Sequence, residues 1–267
     1  NINNRISAFN ITRAGDCIYS MVINRDASQY VKCKFVSKYS DNLYTIDYGN
    51  SKKEYVTNFG HIIKQESPFN NNVIIANNYF KRNLYGLLNS EYLAISAFKY
   101  TNINFFSESA AKVMANEKIG IITYSNQQKR FVDLIPCIYD RIQPINNRYY
   151  LVNNDGRYGI IETTDIDKIN PYWETKDKFA EVVPCIYEQI SLLQNEYYIV
   201  QNDGKFGLIR IKPYNDTEKQ LFSVIIPCIY ESIQHISEKY FIVKQESKYG
   251  VINDSNETII QPKYDSI

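Results

Sequence analysis

Histidine, tryptophan, methionine and net charge are all scarce in this chain, and each scarcity removes a class of function. The only histidines are His61 and His235, with no partner at i+4 and no cysteine at ligand spacing, so no zinc site is expected. The formal charge is +1, from 30 basic and 29 acidic residues. Such a balance supplies no long-range field for a polyanion, and Lys112, Lys129 and Arg130 do not form a stripe, so nucleic acid is not an expected partner. No run of 18 apolar residues exists, which argues against a membrane-spanning helix. No signal-peptide pattern opens the chain. Because it starts at Asn1 and stops just after a repeated phrase, at Ile267, a fragment or processed chain is expected.

Catalytic patterns are missing as well. Asn154–Gly159 holds two glycines but opens a strand rather than a helix, so it lacks the context of a phosphate-binding loop. No nucleophile-elbow motif is present. The Asp165 and Asp167 pair reads as solvated loop charge. The expectation is therefore a protein without catalytic residues, cofactor or metal, and not an enzyme. Five cysteines (Cys17, Cys33, Cys137, Cys185 and Cys228) contain no CxxC pair. The last three occupy one position of a repeated phrase, where each reads as filling a small apolar slot. Equivalent positions in different repeats do not pair, so a reducing compartment, the cytoplasm, is expected.

What the chain has in abundance is tyrosine, 24 copies among 267 residues, and a phrase that returns. Ile135-Pro136-Cys137-Ile138-Tyr139 recurs as Val183-Pro184-Cys185-Ile186-Tyr187 and as Ile226-Pro227-Cys228-Ile229-Tyr230. Its tyrosine has counterparts at Tyr100 and Tyr264, and a glycine anchor recurs at Gly86, Gly120, Gly159, Gly207 and Gly250. From each of the first four tyrosines to the next glycine is always 20 residues; from glycine to the following tyrosine the count is 14, 19, 28, 23 and 14. One part of the unit is rigid, and all length variation falls in a single connection, as packed elements and surface loops respectively allow.

Within the rigid part, Tyr149-Tyr150-Leu151-Val152 and Tyr197-Tyr198-Ile199-Val200 read as strands. Asp155-Gly156 and Asp203-Gly204 follow as type I′ hairpin turns, which need positive φ at both central residues. A glycine inside the return strand implies close approach of another backbone or of a ring, such as a neighbouring repeat's tyrosine. Pro136, Pro184, Pro227 and Pro262 are expected at strand ends, where no ladder N–H is needed. The unit is thus a three- or four-stranded antiparallel meander that must stack on its neighbours to bury its faces.

Residues from about Val73 to Ile267 resemble the WG-repeat family, whose Lys-Trp-Gly-x-Ile phrase is followed by Pro-x-x-Tyr-Asp. This chain has Tyr85, Ile119, Tyr158, Phe206 and Tyr249 where the family prefers tryptophan. The resemblance implies an all-β array of tandem antiparallel meanders, used for interaction, common in bacterial proteins and carrying no catalytic residues. A propeller-like ring, with Pro262-Lys263-Tyr264 completing the first blade, and an open superhelix both fit the repeat length.

Two domains are expected, 1–70 and 71–267. In the first, strands are expected at about Cys17–Ile23, Tyr30–Val36, Leu43–Tyr48 and Glu54–Val56. With Gly15-Asp16-Cys17-Ile18 and Ile46-Asp47-Tyr48-Gly49-Asn50, they resemble a small Tudor or SH3-like barrel. That resemblance implies an aromatic cage for methylated arginine or lysine, with Tyr30 and Tyr48 as walls and Asn50 as polar partner. Val22 and Thr45 stand where further cage aromatics belong. A decayed repeat is the competing reading, since Cys17-Ile18-Tyr19 echoes the later Cys-Ile-Tyr.

A protein partner is expected at the variable connections Thr123–Leu134, Glu162–Val182 and Arg210–Ile225, which project from corresponding edges of the array. Tyr172 and the sole tryptophan, Trp173, lie in the longest, and Tyr214 and Phe222 in the next. Aromatics on loops are frequent interface anchors. The alternatives are that these rings pack against the rim of the array, or that the chain is a structural subunit of a larger assembly.

Overall fold

A computed structural model describes residues 6–11, 18–23, 28–32, 35–49, 51–57, 59–67, 72–78, 83–164, 178–194, 196–211, 222–237 and 239–267. Every regular element among them is a β-strand, as β-branched and aromatic abundance favours. The chain forms two compact units, Asn1–Cys137 and Ile138–Ile267.

The first unit opens with a three-stranded meander of β1 (Ile6–Ile11), β2 (Ile18–Ile23) and β3 (Ser28–Lys32). A six-stranded meander follows: β4 (Phe35–Ser40), β5 (Leu43–Gly49), β6 (Lys52–Thr57), β7 (His61–Glu66), β8 (Val73–Asn78) and β9 (Tyr85–Asn89). Two expectations change here. The strand expected at Tyr30–Val36 is broken, with β3 and β4 in different sheets. The expected boundary at residue 70 falls between β7 and β8, which pair in one sheet from His61↔Asn78 to Glu66↔Ile74. The unit closes with a four-stranded sheet of β10 (Asn102–Phe105), β11 (Ala110–Ala115), β12 (Lys118–Ser125) and β13 (Arg130–Tyr139).

Three more four-stranded sheets make the second unit. The first contains β14 (Arg141–Pro144), β15 (Tyr149–Asn154), β16 (Arg157–Thr163) and β17 (Phe179–Tyr187). Next come β18 (Gln189–Gln194), β19 (Tyr197–Asn202), β20 (Lys205–Ile211) and β21 (Phe222–Tyr230). The last has β22 (Ser232–Ser237), β23 (Tyr240–Gln245), β24 (Lys248–Asn253) and β25 (Thr258–Tyr264). Because β25 pairs with β24, Pro262-Lys263-Tyr264 completes its own sheet rather than that of a first blade.

All four sheets share their internal grammar. The second and third strands meet in two-residue turns with positive φ at both positions: Asn116-Glu117, Asp155-Gly156, Asp203-Gly204 and Glu246-Ser247. The expected type I′ geometry therefore extends to two turns that lack glycine. The recurring glycine lies under the last strand. Tyr158 pairs with Tyr187 and Ile160 with Val183, so Gly159 faces the bulged Pro184-Cys185-Ile186. A Cβ on Gly159 would sit 2.5 Å from the Val183 carbonyl oxygen and 2.9 Å from the Cys185 nitrogen. Gly120 and Gly207 meet the same carbonyl–nitrogen–thiol cradle. The close approach is thus to backbone of the same sheet, not to a neighbouring repeat's tyrosine. Among the described glycines, Gly86 alone faces an aromatic ring: a Cβ there would sit 2.6 Å from Phe98.

Pro136, Pro184 and Pro227 lie inside the last strands, at this bulge, which spares a ladder hydrogen bond without ending the strand. Pro262 is not their equivalent: it packs over Gly250 in the slot that cysteine fills in the other copies. The repeat tyrosines Tyr139, Tyr187 and Tyr230 are buried, as are Val152, Val200 and Val243 from the second strands. Two cores join successive sheets of the second unit. Val183 and Tyr187 pack with Tyr198, Val200 and Ile209 of the next sheet. Ile226 and Tyr230 pack with Phe241, Val243 and Ile252 of the one after. Each such ring and aliphatic side chain removed from water contributes roughly 1.5–3 kcal/mol.

Candidate functional site

The variable connections leave from identical roots. In every copy the residue nine positions after the repeat tyrosine gives its carbonyl to the N–H at position twenty-four. The four bonds are Tyr124 N–H to Ser109 (2.7 Å), Thr163 to Arg148 (2.8 Å), Ile211 to Glu196 (2.9 Å) and Asp254 to Lys239 (2.8 Å). Strand separation beyond these roots is four residues in the first and last sheets (126–129 and 254–257), 15 in the second (164–178) and ten in the third (212–221). Length changes are confined to one edge by a backbone clamp that does not vary. The strands run further than expected, so the connection foreseen at Thr123–Leu134 is reduced to residues 126–129.

Charge marks the same edge. Arg148 pairs with the buried Glu162, and its guanidinium lies 5.8 Å from the Tyr149 ring centre. In the next sheet the pair is reversed: Arg210 donates from Nε (3.1 Å) and from an Nη (3.0 Å) to Glu196 Oε2, and lies 5.6 Å from the Tyr197 ring centre. Equivalent positions thus carry opposite polarity beside the two longest connections. Burial, with Glu162 close by, pushes the Tyr149 hydroxyl pKa upward, so it stays protonated and donates to that carboxylate.

A second constellation fastens sheet to sheet. The acid after each repeat tyrosine reaches forward to the next hairpin turn. Asp140 Oδ2 accepts the Asp155 N–H at 2.7 Å, Glu188 Oε2 the Gly204 N–H at 3.0 Å and Glu231 Oε2 the Ser247 N–H at 3.3 Å. Glu188 and Glu231 also reach back to a base of their own sheet: Arg157–Glu188 at 3.6 Å and Lys205–Glu231 at 3.8 Å. Glu188 and Glu231 are therefore two-way clips, which were not foreseen from the sequence. The recurring acid after tyrosine and base before aromatic-glycine were the available signal.

Of the residues named from sequence for partner binding, Tyr172, Trp173 and Tyr214 lie outside the described residues. Phe222 is the first residue of β21, pairs with Ile211 and packs half-buried on the core, so it belongs to the framework. In the cage reading, Tyr30 is on β3 and Tyr48 on β5, strands of different sheets, and Asn50 lies outside the described residues. The Tyr48 hydroxyl donates to Glu54 Oε2 at 2.7 Å, and the Lys52 ammonium lies 4.9 Å from its ring centre. Its hydroxyl and one face are thus engaged by its own hairpin.

Between the first strands of two sheets runs a groove of about 350 Å³, lined by Gln143, Pro144, Ile145, Leu151, Ile190, Ser191, Leu192 and Tyr198. It offers no carboxylate, imidazole or thiol, so it supplies no acid–base pair. Burial also raises the thiol pKa values of the half-buried Cys137, Cys185 and Cys228, which suits packing rather than nucleophilic attack. His61 stacks on Phe98 with centroids 4.0 Å apart, and burial lowers its pKa to about 4, leaving it neutral. Among the described residues no group of three or more His, Cys, Asp or Glu is placed to hold a metal, and no helix is long and apolar enough to cross a membrane.

The WG containing repeat family matches residues 124–158, 177–206, 220–249 and 249–267. No curated protein matches the chain. Solved structures show distant likeness. PorZ, a surface component of the type-IX secretion system of Porphyromonas gingivalis, is 9% identical with a TM-score of 0.26, over 88% of this chain and 33% of its own. Hsv2p of Kluyveromyces lactis is 10% identical with a TM-score of 0.30, over 79% and 81%. A Lactobacillus plantarum protein is 8% identical with a TM-score of 0.26, over 95% and 94%. This chain thus spans about a third of the length of PorZ.

Proposed function

Residues 124–267 belong to the WG containing repeat family, and on that premise we propose that the protein is a non-catalytic recognition or scaffold module that binds a protein partner through the variable connections of its sheets. The observation that carries this reading is the contrast at one edge. Four equivalent backbone clamps hold the roots of the third-to-fourth-strand connections, while the connections themselves differ from four to 15 residues. A rigid framework with variable loops at corresponding positions is how repeat proteins build composite binding surfaces. The reversed ion pairs Arg148–Glu162 and Glu196–Arg210 give that edge an alternating charge pattern suited to selecting a partner rather than to attracting any polyanion.

The three half-buried, unpaired thiols support placing the chain in a reducing compartment, in keeping with a cytoplasmic protein. The test of the main reading is Trp173→Ala. Proteins captured by the wild-type chain from its native cell, identified by mass spectrometry, are titrated against both forms. Loss of affinity with an unchanged thermal midpoint supports the loop surface, and equal affinity refutes it. A methyl-peptide reader is the rival reading, resting on the Tudor-like resemblance alone, since Lys52 already engages one face of Tyr48. It requires calorimetric binding of a methyl-arginine peptide that Tyr48→Ala abolishes.

A further inference from the structure

The joint between successive sheets has three parts, and at the last sheet each has only its near half. In the two internal joints of the second unit, the repeat tyrosine is covered by the following sheet: Tyr187 is 7% exposed and Tyr230 is 6%. Their equivalent on β25, Tyr264, is 45% exposed. Four residues earlier in the same strands, Val183 and Ile226 are fully buried, while Ile260 is 37% exposed. The third part is the acidic clip. Glu188 and Glu231 each hold a base behind them and a turn N–H in front. Asp265 holds its base, Lys248 at 2.5 Å, but its side chain is 89% exposed.

We infer that the outer face of β24–β25 is a docking surface whose occupant is a further sheet of the same repeat type, lying outside residues 1–267. The occupant's chemistry follows from the two internal joints. It must bring an aromatic and a valine from its second strand onto Tyr264 and Ile260, as Tyr198 with Val200 and Phe241 with Val243 do inside the molecule. It must also present a two-residue turn with positive φ, whose N–H donates to Asp265. A generic apolar peptide meets the first condition but not the second. Continuity with an interface already built twice in the same unit, in the same register, selects this occupant. The residues that define this face, Tyr264, Ile260 and Asp265, lie on or after β25 rather than in a variable connection, so its failure and that of the proposed function are distinguishable.

The test adds the occupant covalently. Residues 1–265 are extended by a second copy of residues 232–265, and thermal unfolding is compared with the native chain. The expected result is a midpoint higher by about 5 °C or more, with the added segment's amides protected from exchange. A Tyr264→Lys change should shift the native chain by less than about 2 °C and remove the gain in the extended one. An extension that leaves the midpoint unchanged, or unprotected amides in it, overturns the proposal. Sedimentation of the native chain tests the other occupant. A dimer that Tyr264→Lys converts to monomer assigns the face to a second copy and overturns the proposal as stated.

Discussion

Replacing Gly207 by alanine isolates the physical demand at the centre of each sheet. The added Cβ would sit 2.6 Å from the Ile226 carbonyl oxygen and 2.9 Å from both the nitrogen and the Sγ of Cys228. The thiol can rotate away. The carbonyl and nitrogen cannot, because Leu208↔Ile226 and Phe206↔Tyr230 fix β21 on either side. Relief therefore requires β21 to lift from β20, loosening Ile226 and Tyr230 from the next core. Overpacking of this kind costs about 3 kcal/mol, offset by roughly 0.5–1 kcal/mol from the stiffer unfolded chain, so a net loss of about 2 kcal/mol or more is expected. Gly204→Ala is the internal control. Nothing lies within 4 Å of its Cβ, but its φ is +70°, so only backbone strain of about 1 kcal/mol opposes the change. Urea unfolding of the two variants gives the comparison. If Gly207→Ala is no worse than Gly204→Ala, the close approach is not what demands glycine.

Two further outcomes test other parts of the fold. His61 has its pKa lowered to about 4 by burial, so between pH 6.5 and 4 the unfolded chain binds a proton that the folded chain does not. Its contribution to stability is therefore constant above pH 6.5, falls by roughly 1.4 kcal/mol per pH unit below it, and totals about 3 kcal/mol near pH 4. His61→Phe, which keeps a ring against Phe98, should flatten the urea midpoint across that window; identical slopes for both proteins would contradict the burial argument. Ser247 occupies the place that Gly156 and Gly204 hold in neighbouring turns, at φ 63°. Ser247→Gly relieves strain of about 1 kcal/mol at a smaller entropic cost, so a slight gain in thermal midpoint is expected, and a loss would contradict the turn assignment.

The repeat phase was legible because packed elements fix spacing: the 20 residues from tyrosine to glycine carry two strands, the short connection between them and a two-residue turn. The turns at Asp155 and Asp203 were legible because Asp-Gly suits positive φ at both positions; Glu246-Ser247 and Asn116-Glu117 adopt the same φ without the glycine that marks it. What escaped depends on pairing between distant residues. Proline reads as a strand end until its strand is known to bulge over Gly159. Tyr30–Val36 reads as one strand because alternation alone does not reveal that its halves join different sheets. The clip formed by Glu188 needs Arg157 from behind and Gly204 from in front, and neither spacing suggests the contact. Candidate binding residues were chosen by residue type, which does not separate Phe222, seated on the core, from an aromatic free in a connection.

The claim beneath all of this is that equivalent tyrosines play one structural role, fulfilled only where a following sheet covers them. Chemical unfolding of Tyr187→Ala beside Tyr264→Ala measures it directly, because the first ring is 7% exposed and the second 45%. The expected costs are about 4 kcal/mol for Tyr187→Ala and about 1 kcal/mol or less for Tyr264→Ala. Equal costs at the two positions would contradict the account.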